Sequence, residues 1–177
     1  MTIGTAAGDV DLFGWSTAAT TYGISTSENY EDYSGDFVDW GENIGDGKTW
    51  RTLTTEEWQY LFNVRTVNKG TGEDKSYSIN ITYGGKKGLV LYPDDYDKAP
   101  ISGTVTELPE GVVFLPTAGE RCGSSIEGVD DYGVYWSSSA TDEHDAYFVF
   151  LFSEYVGPDY SDLRIYGSSV RLVTDCE

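Results

Sequence analysis

The stretch TTEEWQYLFNVR, residues 54–65, carries the strongest local signal in the chain. Thr54 and Glu57 have capping-box spacing, in which the hydroxyl serves an end amide while the carboxylate reaches back to the cap. Trp58, Leu61 and Phe62 follow at i, i+3 and i+4, which lays one apolar stripe along a helix. The stretch predicts a core helix over 54–65, and with it a packed domain.

Downstream, the pattern changes from helical to extended. Tyr77-Ser-Ile-Asn-Ile-Thr-Tyr83 alternates and stops at Gly84-Gly85, the punctuation of a hairpin. Gly88-Leu-Val-Leu-Tyr92 runs into Pro93, and Gly111-Val-Val-Phe-Leu115 stops at Pro116; short apolar runs between breakers read as buried strands. Tyr147 to Phe152 and Ser169 to Thr174 read as further strands. Few helices, several short strands and much loop predict an α+β domain with long surface excursions.

At 177 residues, one domain spanning 1–177 is expected, long enough to bury a single core. Lys plus Arg is 11 against 30 Asp plus Glu, a net charge of −19 that repels phosphate backbones and anionic lipid. Nucleic acid is therefore not an expected partner. Acidity of this degree can accompany disorder, but disordered chains are poor in aromatics, and here 15% of residues are aromatic. No apolar run approaches the ~18 residues of a membrane span, so direct membrane insertion is not expected. The start, Met1-Thr-Ile-Gly-Thr-Ala-Ala-Gly-Asp, lacks the basic and apolar regions of a signal peptide.

Residues 1–49 combine Gly, Ser, Thr and acids with aromatic anchors at Phe13, Trp15, Tyr22, Tyr30, Tyr33, Phe37 and Trp40. Glu28, Glu31, Asp32, Asp36, Asp39, Glu42 and Asp46 stand there without a Lys or Arg between them. Their spacing is not that of an EF-hand, so a solvated acidic loop is preferred to a calcium site and no metal or cofactor is assigned. Cys122 and Cys176 make no disulfide framework and read as thiols, with a bridge between them left open.

The segment YWSSSATDEHDAYFVFLFSEYVGPDYSDLRIYGSSVRLV, residues 135–173, has core-like ends and an unusual middle. Surfaces that must suit varied partners use Tyr for large, stiff, amphipathic contact and small polar residues for adaptable hydrogen bonds. Tyr147, Tyr155, Tyr160 and Tyr166 stand among Ser153, Gly157 and Ser161, with acids at Asp142, Glu143, Asp145, Glu154, Asp159 and Asp162. Trp136, Ala146, Phe148, Phe150, Val156, Val170, Arg171 and Leu172 are the candidate frame. The bland reading is a plain β-rich run over Tyr147–Phe152 beside a solvated turn at Thr141–Asp145.

Arg51-Thr-Leu-Thr-Thr-Glu-Glu-Trp-Gln-Tyr60 resembles the signature helix of the formylglycine-generating-enzyme branch of the C-type lectin fold. Gly167-Ser-Ser-Val-Arg-Leu-Val173 resembles that branch's closing strand. Asp11-Leu-Phe-Gly-Trp15, Val113-Phe-Leu-Pro-Thr-Ala-Gly119 and Tyr135-Trp-Ser-Ser-Ser139 are similar to pieces of a narrower group, the bacterial and phage-borne variable proteins of diversity-generating retroelements. An opening strand upstream of Asp11 is not evident.

The resemblance implies a C-type lectin fold: small antiparallel sheets, one or two helices and long loops. It implies a ligand-binding protein, a phage receptor-binding tip or bacterial surface adhesin, whose region of about 136–173 is rewritten by adenine-directed mutagenesis. Codons of the AAC type never become Trp, Met or Lys, and residues 141–166 contain none of these. Glu143 and Glu154 would need another starting codon. The implied binding residues are Thr141, Asp142, Glu143, His144, Asp145, Tyr147, Glu154, Tyr155, Asp159, Tyr160, Ser161, Asp162, Ile165 and Tyr166, gathered on one exposed face. The implied partner is a protein or cell-surface ligand met outside the cell.

The alternatives are a non-diversified structural or adhesion domain of the same fold and an enzyme of the formylglycine-generating type. The enzyme is disfavoured: its closing strand carries cysteine where this chain has Arg171-Leu172. No Gly-x-Ser-x-Gly elbow accompanies His144, and the calcium-dependent sugar motifs Glu-Pro-Asn and Trp-Asn-Asp are absent.

Overall fold

In a computed structural model of the chain, which describes residues 14–15, 27–39, 41, 44, 47–67 and 76–175, the capping box forms as the sequence requires. Thr54 Oγ1 accepts from the Glu57 amide at 3.3 Å and Glu57 Oε2 accepts from the Thr54 amide at 2.9 Å. Glu57 also receives both guanidinium nitrogens of Arg51, at 2.7 and 2.5 Å. The cap starts helix α1 (Thr55–Gln59), which is shorter than the 54–65 helix expected. Over Tyr60–Val64 the chain continues as a π-helical turn, closed by the Arg65 amide on the Tyr60 carbonyl at 2.7 Å. Widening the turn keeps Trp58 and Phe62 facing inward, stacked at 5.8 Å, while Val64 is left exposed.

The strands, in chain order, are β1 (Trp50–Thr52), β2 (Tyr77–Tyr83), β3 (Lys86–Leu91), β4 (Thr104–Val105), β5 (Val113–Pro116) and β6 (Glu120–Cys122). They continue with β7 (Ser125–Glu127), β8 (Tyr132–Ala140), β9 (Asp145–Phe152), β10 (Tyr155–Leu163) and β11 (Leu172–Thr174). They form a four-stranded sheet β4-β2-β3-β5, a three-stranded antiparallel sheet β10-β9-β8, and the pairs β1-β11 and β6-β7. The mixed α+β architecture of small sheets with one short helix agrees with expectation. The hairpin at Gly84-Gly85 forms, both glycines holding the left-handed conformation that such a turn requires.

One departure from simple alternation matters for the core. Asn80 takes φ 60° and interrupts the β2–β3 register between Ile79 and Ile81. A bulge of this kind sends the next side chain to the other face. Tyr77 and Ile79 thus join the main core of Leu53, Trp58, Phe62, Leu89, Leu115, Tyr135, Val149 and Leu151. Ile81 joins a second cluster with Val67, Val90, Tyr92 and Tyr96.

Four sequence motifs far apart in the chain meet around α1. The Thr55 amide donates to Ser139 Oγ at 3.1 Å and the Thr55 and Ser137 hydroxyls bond at 3.0 Å, so the serine run of β8 docks the helix start. Strand β1 pairs antiparallel with β11, register Arg51 to Val173. Tyr135 donates its hydroxyl to the Pro116 carbonyl at 2.7 Å. Phe13, Tyr22, Trp40, Glu42, Asp46, Cys176 and the strand sought upstream of Asp11 lie outside the described residues.

Candidate functional site

The three-stranded sheet determines where the middle of the 135–173 segment goes. Side chains alternate between its two faces, and the ladder pairs Tyr155 with Phe152, Gly157 with Phe150, Tyr160 with Phe148 and Asp162 with Ala146. On the other side of β9, Tyr132, Val134 and Trp136 of β8 oppose Phe152, Phe150 and Phe148. All of these share one face. Its inner part is covered by Trp15, which meets Trp136 edge-on at 5.6 Å and Phe37 at 5.0 Å. Its outer part is open: Tyr155, Tyr160 and Phe152 are 50%, 45% and 44% exposed.

These rings form one connected array. Phe150 and Phe152 stack at 6.0 Å, Tyr160 lies 5.8 Å from Phe150 and 6.1 Å from Phe148, and Tyr155 meets Tyr160 edge-on at 6.1 Å. The bulge between Gly157 and Tyr160 and the missing side chain of Gly157 make this possible. A Cβ at Gly157 would fall 2.3 Å from the Tyr160 ring and 3.0 Å from that of Tyr155, so the two tyrosines close over the glycine. Phe152 continues the array into a groove of about 250 Å³ lined also by Ile79, Asn80, Lys87, Gly88, Thr117, Asp130 and Asp131.

The expectation that residues 141–166 gather on one exposed face is corrected by this alternation. Tyr147 and Ser161 pair with each other on the opposite face, the side of Tyr135, Val149 and Leu151, which pack in the main core with Trp58. Tyr147 is half-buried. Tyr166 is half-buried too, packed against the Trp15–Trp136 cluster, and Ile165 beside it is half-buried. Of Tyr147, Tyr155, Tyr160 and Tyr166, only Tyr155 and Tyr160 are open. Thr141, Asp142, Glu143, Glu154, Asp159 and Asp162 are exposed.

Several of these residues also serve the scaffold. Asp142 Oδ1 accepts from the amides of His144 and Asp145, both at 2.8 Å, which closes the β8–β9 turn and holds its carboxyl below the usual range. Asp159 accepts from Gln59 Nε2 at 3.2 Å. The His144 ring meets Tyr30 edge-on at 4.7 Å, so the turn abuts the amino-terminal acidic segment. In the frame, Trp136, Ala146 and Phe148 are buried as expected, Phe150, Val156, Val170 and Leu172 are half-buried, and Arg171 is exposed and not part of the packed frame.

Sequence reasoning missed Arg164. It is 7% exposed, its guanidinium 4.9 Å above the Trp15 ring. It donates to the carbonyls of Asp142, Tyr33 (3.5 Å), Gly35 (3.4 Å) and Asp145 (3.4 Å). Burial pulls its pKa down, opposed by the nearby carboxylates of Asp142, Asp145 and Glu143. One side chain thereby ties β10, the β8–β9 turn and the segment around Tyr33 together. Its signal was an isolated arginine in an otherwise acidic stretch.

The electrostatics of the open face are set by carboxylates. Tyr132 packs 5.7 Å from Phe150 and donates its hydroxyl to Glu120 at 3.0 Å. Burial, then that bond to Glu120, push the Tyr132 pKa up to about 12. Burial likewise raises the Glu120 carboxyl, opposed by the Tyr132 bond and helped by Asp162 and Glu127. Cys122 is unpaired among the described residues, its thiol pushed up first by burial and then by surrounding acids. No family model, curated protein or solved structure matches the chain.

Proposed function

We propose that this chain is a ligand-binding recognition domain of the C-type lectin fold, of the kind diversified by retroelements, displayed on a bacterial surface or a virion. The observation that carries the reading is the division of labour within residues 141–166. Ala146, Phe148, Val149, Leu151 and Arg164 are buried, while Phe152, Tyr155 and Tyr160 stand open amid exposed acids. A frame that folds without its outward side chains is what a rewritable surface needs. The fold assignment is supported by convergence: the motif of α1 meets the serine run of β8, and β1 pairs with β11. The partner is a protein or cell-surface ligand.

The test has two parts. The coding locus should lie near a reverse-transcriptase gene and a near-copy of the segment for residues 135–173 that differs at adenines; absence of both refutes diversification. A surface-displayed library randomised at Glu143, Glu154, Tyr155, Ser161 and Asp162 should stay folded in most members. Loss of folding in most members refutes the division between frame and filling. The ties of Asp159 to Gln59 and of Tyr160 to Phe148 favour a second reading, a non-diversified adhesion domain of the same fold. A folded library at a locus with neither gene nor near-copy would select that reading.

A further inference from the structure

The open face of β9 and β10 combines two properties that together specify a partner. One is the ring array, where Phe152, Tyr155 and Tyr160 remain 44–50% exposed. The other is its border. Tyr155 follows Glu154 in the β9–β10 turn, Asp162 succeeds Tyr160 on the same face, and Glu120 holds the hydroxyl of Tyr132 at the far edge. Glu127 stands directly opposite Glu120 in the β6–β7 ladder. Like charges so placed cost stability when nothing cationic lies between them. From residue 118 to 175 the chain has no lysine, and of its three arginines Arg121 and Arg164 are buried; Lys87, which lines the groove beside Phe152, stands there with two acids, Asp130 and Asp131.

We infer that the Tyr155–Tyr160–Phe152 face binds a basic protein segment, with arginines or lysines laid over the tyrosine rings and met by the carboxylates of Glu154 at the β9–β10 turn and of Asp162 and Glu120 farther along the face. This rests on the reading of that face as a binding surface and adds the chemistry of its partner. Aromatic faces attract cations most strongly when water is displaced, and arginine stacks on rings better than lysine. Carboxylates around the rings supply the charge-assisted hydrogen bonds that a guanidinium seeks. Charge complementarity argues against an acidic partner, since the border would repel it. Arg164 over Trp15 at 4.9 Å shows the same pairing inside the fold.

The test uses the whole chain and short synthetic peptides: alternating arginine and serine, its lysine analogue and its glutamate analogue, measured by fluorescence anisotropy. The arginine peptide should bind, the lysine peptide more weakly, the glutamate peptide not at all, and added salt should weaken binding. Tyr155→Ala and Tyr160→Ala should each lower affinity about tenfold. Tyr160→Phe, which keeps the ring over Phe148 and Phe150, should retain binding and so separates ring loss from misfolding. Asp162→Asn with Glu154→Gln should lower affinity and flatten its salt dependence. Asp94→Asn with Asp95→Asn and Asp97→Asn removes more charge elsewhere and should leave affinity within about twofold.

Failure of the arginine peptide to bind, or equal loss from the distant triple replacement, overturns the inference. Tyrosine-dependent binding of a neutral oligosaccharide without peptide binding overturns the basic partner while sparing the binding face. Folding of the randomised library judges the division between frame and filling independently of any peptide.

Discussion

Arg164 is the residue whose removal tests most of the architecture at once. Replacing it with Met keeps an apolar stem of similar length and deletes the guanidinium. The charge-assisted bond to the Asp142 carbonyl is worth about 1.5–3 kcal/mol. The stacking on Trp15 at 4.9 Å adds about 1 kcal/mol. The bonds of 3.4–3.5 Å to Gly35, Asp145 and Tyr33 are long and add little individually. The total is about 3 kcal/mol, which for a chain of this size lowers Tm by roughly 6–12 °C. Arg164→Lys keeps the charge but cannot fork between carbonyls, so it should recover less than half of the loss. The loss should also be local: amide exchange should accelerate at 27–39 and 141–145 before the β2–β3–β5 sheet responds. Scanning calorimetry and hydrogen exchange measure both. An Arg164→Met protein melting within about 2 °C of the wild type, with unchanged protection at 27–39, would refute the account.

Trp58→Ala and Trp136→Ala should each cost about 3–5 kcal/mol in urea denaturation, since each removes a large buried ring, and an unchanged midpoint would contradict the packing. Replacing Glu143, Glu154, Ser161 and Asp162 together by Ser or Asn should leave Tm nearly unchanged. Adding Tyr160→Ser should cost about 1–2 kcal/mol more, because that ring covers Phe148 and Phe150. A fully tolerated Tyr160→Ser would make that ring purely a surface group. Glu57 has its pKa lowered first by the Arg51 hydrogen bond, so its contribution is present above the unfolded carboxylate value of about 4.3 and is lost as pH falls through the lower folded value. Because the pair is partly exposed, Glu57→Gln should cost only about 0.5–1 kcal/mol at pH 7, with the difference vanishing in strong acid; a constant difference across pH would refute the ion pair as its origin.

The reach of each interaction explains which features were legible. The capping box joins Thr54 to Glu57 across three residues, and the Gly84-Gly85 turn needs its own two backbones to adopt positive φ, so both could be read locally. The buried strands around Leu89 and Leu115 were equally legible, since apolar runs between breakers have few other uses. Trp58 and Trp136 were placed correctly in the core because nothing but burial accommodates such rings within those motifs.

Other features depend on partners distant in sequence. The end of α1 at Gln59 and the π-helical turn after it reflect how Trp58 and Phe62 must meet the strands, not any breaker within 60–64. The face each tyrosine occupies follows from pairing and from a bulge: Tyr155 and Tyr160 share a face only because two residues, Pro158 and Asp159, intervene where the register shifts. Without that shift, period-two alternation would send them to opposite sides. The role of Arg164 is not legible locally because its acceptors, the Tyr33 and Gly35 carbonyls, lie some 130 positions away. Sequence alone determined where elements begin and which runs are apolar, because capping, turns and hydrophobic period act over a few bonds. Tertiary structure decided which side chains face water and which residue holds the loops, because those depend on strand register and on carbonyls that only the folded chain brings together.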